Sequence, residues 1–111
     1  MEDSRKTFGQ TIAESRRDAG YSLKYVAARV KKEDGEPITH QYLSDLERDR
    51  RLPPQDKLIK QLAEVLGISE TFLYIKAKRL PPSFDTDSER QARLAADAIG
   101  RAIEELKPRA A

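Results

Sequence analysis

The chain has no cysteine, and its only histidine is His40. The first absence removes disulfides and thiolate metal sites and suits a reducing compartment, so the cytoplasm is the expected location. The second removes any multi-histidine metal centre. β-branched residues are few and scattered, which argues against an all-β design. No apolar run approaches the ~20 residues of a membrane-spanning helix, and the N-terminal MEDSRKTFGQ lacks the pattern of a signal peptide. A glycine-rich phosphate loop is also missing, and no nucleophile–base constellation replaces it. Neither an enzyme nor a bound cofactor or metal is therefore expected.

What is present is charge. Charged residues make up 36% of the 111, above the usual quarter, and apolar residues 38%, enough for a small core. The length favours one compact domain with an appendage. The net charge is only +2, but residues 1–80 carry a net +3 and residues 81–111 a net −1. A mildly basic body suits a polyanion partner, although many soluble proteins have such a balance.

Apolar residues recur with helical period along most of the chain. Across residues 7–19, Phe8, Ile12, Ser15 and Ala19 share a face bordered by Arg16, and Gly20 offers a stop. Ser22 is a suitable N-cap for a second helix with the stripe Leu23, Val26, Ala27 and Val30. Gly35 and Pro37 in KKEDGEP mark a turn. Thr39 caps a third helix, expected to end near Asp49, ahead of Leu52-Pro53-Pro54. A fourth begins about Gln55, presents Leu58, Ile59, Leu62, Val65 and Leu66, and stops at Gly67. Ser69 caps a fifth, with Phe72, Leu73, Ile75 and Leu80 as its apolar residues. Residues 81–86 read as a linker. Thr86 with Glu89 three later forms a capping box for a sixth helix running to about Leu106. The expected organisation is all-α, with a domain over residues 1–80, a linker over 81–86 and a C-terminal helix within 87–111.

The third helix has an unusual outer face. At 100° per residue, Leu43 and Leu46 define its buried side, while Gln41, Ser44, Asp45 and Arg48 fall opposite and His40 lies on the flank of the first turn. An amide, a hydroxyl, an imidazole and a guanidinium are groups that pair with base edges or phosphate. A merely solvated face would carry more Glu and Lys. Asp45 stands out on that face, because DNA repels a carboxylate unless it accepts from a cytosine amino group or orients an arginine.

The stretches SLKYVAARV, ITHQYLSDLERDRRLPP and LIKQLAEVLGIS resemble the helix-turn-helix family of phage repressor and Cro proteins, also called the XRE family. The resemblance covers residues 8–80, about two-thirds of the chain. It implies a five-helix DNA-binding domain, here with an additional C-terminal helix, whose third helix enters the major groove. Matched position by position, Ser22 caps the second helix with its amide end toward a phosphate, and Thr39 caps the recognition helix. His40, Gln41 and Ser44 match positions that reach base edges. Arg48 matches a phosphate-contacting position, and Arg50 and Arg51 lie in the loop near the backbone. Lys24 and Tyr25 suit backbone contact equally with plain exposure. Arg16 and Glu47 match a partly buried structural ion pair. Two departures matter: residues 31–37 lengthen a turn that is tight in the family, and Leu23 stands where some relatives use Gln on DNA.

The C-terminal stripe Ala92, Ala95, Ile99, Ala102 and Leu106 suits pairing with a second chain, folding back, or loose attachment, and pairing is the expectation. The function so implied is a sequence-specific regulator of transcription that binds double-stranded DNA. A repressor is the expected kind, acting as a homodimer on a pseudo-palindromic operator. The alternative is an antitoxin or anti-repressor of the same fold that binds a small protein partner.

Overall fold

The computed structural model describes residues 5–108. The chain divides into two compact units, one reaching Pro81 and one starting at Pro82. Among the described residues there are six helices and no strand, so the class is all-α. None of these helices is long and apolar enough to cross a membrane.

In the first unit, α1 spans Phe8–Asp18. Thr7 caps it reciprocally with Gln10: the Thr7 hydroxyl accepts from the Gln10 amide and the Gln10 side chain accepts from the Thr7 amide, both at 3.0 Å. The second helix, α2, spans only Leu23–Ala27 behind its cap Ser22. It is shorter than its apolar stripe suggests. Val30 is enclosed, yet it follows the helix, in a turn where its amide bonds the Ala27 carbonyl. The third helix, α3, spans His40–Glu47 with Thr39 as cap, ending two residues before the expected Asp49. The fourth, α4, spans Asp56–Leu66, and the fifth, α5, spans Glu70–Lys76 behind Ser69.

Four of these five helices end in the same motif. The amides of Tyr21, Arg50, Ile68 and Arg79 reach back five residues, to the carbonyls of Arg16, Asp45, Ala63 and Tyr74, at 2.9–3.1 Å. These are the long bonds of Schellman endings. The residue before each donor has positive φ: Gly20 at 78°, Asp49 at 57°, Gly67 at 68° and Lys78 at 61°. Two endings thus use glycine and two do not.

The core lies where α3 packs on α1 and α2, and α4 packs on α5. Ile12, Val26, Leu43, Ile59, Leu62 and Leu73 are completely enclosed. Each is worth about 1.5–3 kcal/mol of transfer free energy. In α5 the pattern differs from the sequence expectation. Leu73 and Tyr74 are buried, while Phe72, Ile75 and Leu80 are exposed. The short helix offers one inward side, and Tyr74 fits it because its hydroxyl reaches the Asp56 carbonyl at 3.2 Å.

The lengthened turn is a closed loop. Lys31 and Pro37 form an isolated antiparallel bridge, and the Ile38 amide bonds the Val30 carbonyl at 2.9 Å. Gln61 from α4 completes the stem: its side chain accepts from the Lys31 amide at 2.7 Å and donates to the Lys31 carbonyl at 2.9 Å. Val30 and Ile38 are both buried, so the stem packs as one piece with α2 and α3.

In the second unit, α6 spans Glu89–Leu106. Its cap is Ser88, whose hydroxyl accepts from the Gln91 amide, and not Thr86 as the Thr86–Glu89 pattern suggested. The Gln91 side chain accepts instead from the Asp85 amide at 2.8 Å, which fixes the approach of the chain and displaces the alternative start. Ala95 is buried and Ala92 half-buried, whereas Ile99, Ala102 and Leu106 are exposed. Ile103, absent from the predicted stripe, falls on the same side by helical spacing and is also exposed.

Glycine-to-alanine replacement has opposite signs at two sites. A Cβ on Gly9 of α1 would run into the Leu46 and Glu47 carbonyls of α3, whereas one on Gly100 of α6 meets open space. Gly9→Ala is expected to cost about 1–3 kcal/mol through overpacking. Gly100→Ala is expected to favour the helix by about 0.5–1 kcal/mol. Thermal melts followed by circular dichroism check both.

Candidate nucleic-acid interface

The outer side of α3 is held from behind. Leu43 and Leu46 are buried, which fixes the rotation of the helix and leaves His40 and Gln41 exposed. Ser44 and Asp45 are half-buried, less outward than angle alone suggests. Asp45 is covered by side chains of its own neighbourhood: Gln41 Nε2 donates to its Oδ1 at 3.1 Å, and Arg50 Nη1 and Arg51 Nε lie 4.0 and 3.8 Å from its oxygens.

Two interactions fasten the far end of α3 to α1. Arg16 grips Glu47 with Nε on Oε2 at 2.6 Å and Nη2 on Oε1 at 3.0 Å, and its Nη1 donates to the Tyr21 carbonyl at 2.8 Å. The paired side chains are only 14% and 8% exposed. The hydrogen bond from Arg16 to Glu47 raises the guanidinium pKa above its ordinary value, against the opposing effect of burial, and their charge attraction adds to the rise. The second fastening is Asp49. Its carboxylate accepts from the Gly9 amide at 3.0 Å and from the Thr7 hydroxyl, at the positive end of α1. Sequence reading took Asp49 only as the expected end of the third helix. The signal for its role is its place two residues past the helix end, where the backbone is left-handed and Asp is tolerated better than most residues.

Around this helix the named residues form two groups. Lys24, Thr39, His40 and Gln41 line one cleft between α2 and α3. Thr39, Tyr42 and Arg51 line another, together with Lys32 and Gln55. The Ser22 and Thr39 hydroxyls accept from the Tyr25 and Tyr42 amides, each at 3.0 Å. The Arg51 guanidinium stands 5.1 Å over the Tyr42 ring. Burial raises the Tyr42 pKa, with the Arg51 charge pulling the other way. Arg48 forms the exposed C-cap of α3. Tyr25 is not freely exposed. Its ring stacks on Tyr21 with centroids 4.3 Å apart, and Arg29 lies 3.4 Å above it. Arg29 escaped the sequence reading, although its spacing four residues after Tyr25 was a usable signal. Leu23, at the position where some relatives use Gln, packs half-buried against the core. Among the described residues no cluster of histidine or carboxylate groups has the makings of a metal site.

A short helix seated across another, with its polar side outward and its ends pinned, is the geometry of a helix-turn-helix. The family model described as helix-turn-helix matches residues 12–73, more than half of the chain. The chain belongs to that family. It is a DNA-binding transcription regulator of the repressor and Cro (XRE) type. Among solved structures, this helix-turn-helix chain is similar to one in the SinR protein/SinI protein complex. The two are 27% identical with a TM-score of 0.50, over 84% of this chain and 79% of that one. It is also similar to the clp gene regulator ClgR from Corynebacterium glutamicum, at 25% identity and a TM-score of 0.49 over 92% of each chain. No curated protein matches it significantly.

Removing either fastening is expected to loosen the helix-turn-helix. Glu47→Ala leaves the Arg16 guanidinium without its partner and is expected to cost about 3 kcal/mol. Asp49→Ala removes the bond to the α1 amide and is expected to cost about 1–2 kcal/mol. Urea unfolding of both variants, at constant m-value, measures the two losses.

Proposed function

We propose that this regulator binds double-stranded DNA sequence-specifically, with α3 in the major groove, and represses transcription as a homodimer on a pseudo-palindromic operator. The supporting observation is the placing of His40 and Gln41 on the exposed side of a helix whose opposite side is fully buried. His40, Gln41 and Ser44 read base edges, with Gln41 suited to adenine. Ser22, Lys24, Tyr25, Thr39, Arg48, Arg50 and Arg51 engage the sugar–phosphate backbone and set the register. Arg16 and Glu47 keep the helix in place. Two recognition helices of a symmetric pair would then stand about one DNA turn, ~34 Å, apart.

The pairing surface proposed is α6. Ile99, Ile103 and Leu106 are 45%, 54% and 79% exposed, apolar groups that favour burial against a second chain. A second reading takes the same surface for a small protein partner, as in an antitoxin or anti-repressor. It is favoured by the structure in which SinR occurs in complex with SinI. A pull-down recovering one stoichiometric small protein would support that reading over self-association.

Selection of binding sites from random duplex DNA, followed by titration at two salt concentrations, tests the first reading. Affinity is expected to fall steeply with salt while the sequence preference persists. Gln41→Ala should blur one base position, and Arg51→Ala should weaken all duplexes alike and reduce the salt slope by about one unit. Recovery of no preferred duplex would remove the proposal. For the pairing surface, Ile99→Glu is expected to shift the sedimentation velocity of the full chain toward monomer; an unchanged profile would reject α6 as the dimer contact.

A further inference from the structure

Asp45 has no obvious place on a surface that meets phosphates, yet side chains of Gln41, Arg50 and Arg51 converge on it. Its side chain is 20% exposed, against 62% and 57% for Arg50 and Arg51 beside it. The carboxylate therefore sits beneath the groups that would touch DNA. It makes one hydrogen bond within α3, accepting from Gln41 Nε2 at 3.1 Å. The arginine contacts, at 3.8–4.0 Å, are charge attractions longer than hydrogen bonds.

We infer that Asp45 is the specificity-determining partner of Gln41, restricting it to adenine while holding Arg50 and Arg51 back from indiscriminate phosphate binding. A free glutamine amide carries two N–H donors and one carbonyl acceptor. Its two donors can serve the N7 and O6 acceptors of guanine, and its donor–acceptor pair can serve the N7 and N6 amino group of adenine. The bond to Asp45 consumes one donor. What faces outward is one N–H and one C=O, the complement of adenine's edge and a poor match for guanine's two acceptors. The same bond settles which way round the amide lies. The carboxylate also offsets part of the positive charge at Arg50 and Arg51. That charge is the source of sequence-independent affinity, so reducing it lowers binding to every duplex equally and leaves the base contacts as the larger share.

The inference rests on the proposed base-reading role of Gln41, and two substitutions separate its parts. Asp45→Ala removes both the acceptor and the charge. Asp45→Asn keeps an acceptor for Gln41 and removes only the charge. Binding of the full-length variants to the selected duplex, to its adenine-to-guanine variant at the position blurred by Gln41→Ala, and to a random duplex is measured by fluorescence anisotropy. Melting curves verify that each variant is folded. Both variants are expected to bind random duplex several-fold tighter than wild type. The preference for adenine over guanine is expected to drop roughly tenfold in Asp45→Ala and to persist in Asp45→Asn. A folded Asp45→Ala that keeps the wild-type preference overturns the inference, as does an Asp45→Asn with no gain on random duplex. Should wild type select guanine at the Gln41 position, the assignment of Asp45 fails and the regulator reading stands. Should wild type prefer no duplex, both fail.

Discussion

The bidentate contact between Arg16 and Glu47 is the constraint on which the seating of α3 depends. A helix of eight residues has little stability of its own, and its orientation must come from what it is packed and tied to. Leu43 and Leu46 fix rotation about the helix axis, but two side chains on one stripe allow rocking along it. Arg16 stops that motion, because a guanidinium fork accepts a carboxylate in one plane only and its third nitrogen is already committed to the Tyr21 carbonyl. The pair is shielded enough to be costly to break and adds little over a well-packed apolar substitute, so its value lies in geometry more than in net stability.

Asp49 works on the same joint from the other direction. The backbone there turns left-handed to close α3, and a residue with a carboxylate takes the place that glycine takes at the ends of α1 and α4. The side chain gained is put against the amide end of α1, where negative charge is favoured. One residue thereby ends α3, starts the loop that carries Arg50 and Arg51, and joins both to α1. Gly9 allows this closeness, since a larger residue would separate the two helices at the point where the carboxylate must reach.

Much of this architecture was legible in the chain itself. Polar caps ahead of periodic apolar runs located the starts at Ser22, Thr39 and Ser69, and Gly20 and Gly67 marked two ends. The errors have physical causes. The ends at Asp49 and Lys78 carry no glycine to announce their left-handed closure, and the prolines after Leu52 placed the end of α3 only to within two residues. Near α6 the chain writes the same capping pattern twice, Thr86 to Glu89 and Ser88 to Gln91, and only the tie between Gln91 and Asp85 decides between them. In α5, seven residues are too few for periodicity to choose between Phe72 and Tyr74, and the choice is made by the carbonyl that the tyrosine hydroxyl finds. Individual roles on the outer face were drawn from family resemblance. The side-chain partnership of Gln41 with Asp45 could be imagined from their spacing, but not the approach of Arg50 and Arg51 to the same carboxylate, since these come from a loop whose path the sequence does not specify.

The closed stem between Val30 and Ile38 has a consequence for how this protein can change. Because the backbone rungs and the Gln61 side chain bring the two ends of the loop together on their own account, the tip is insulated from the helices on either side. Closing a longer loop on such a stem carries an entropy penalty that grows only with the logarithm of its length. The joint between α2 and α3 is thereby a socket into which new segments are expected to fit without re-aiming the helix that follows.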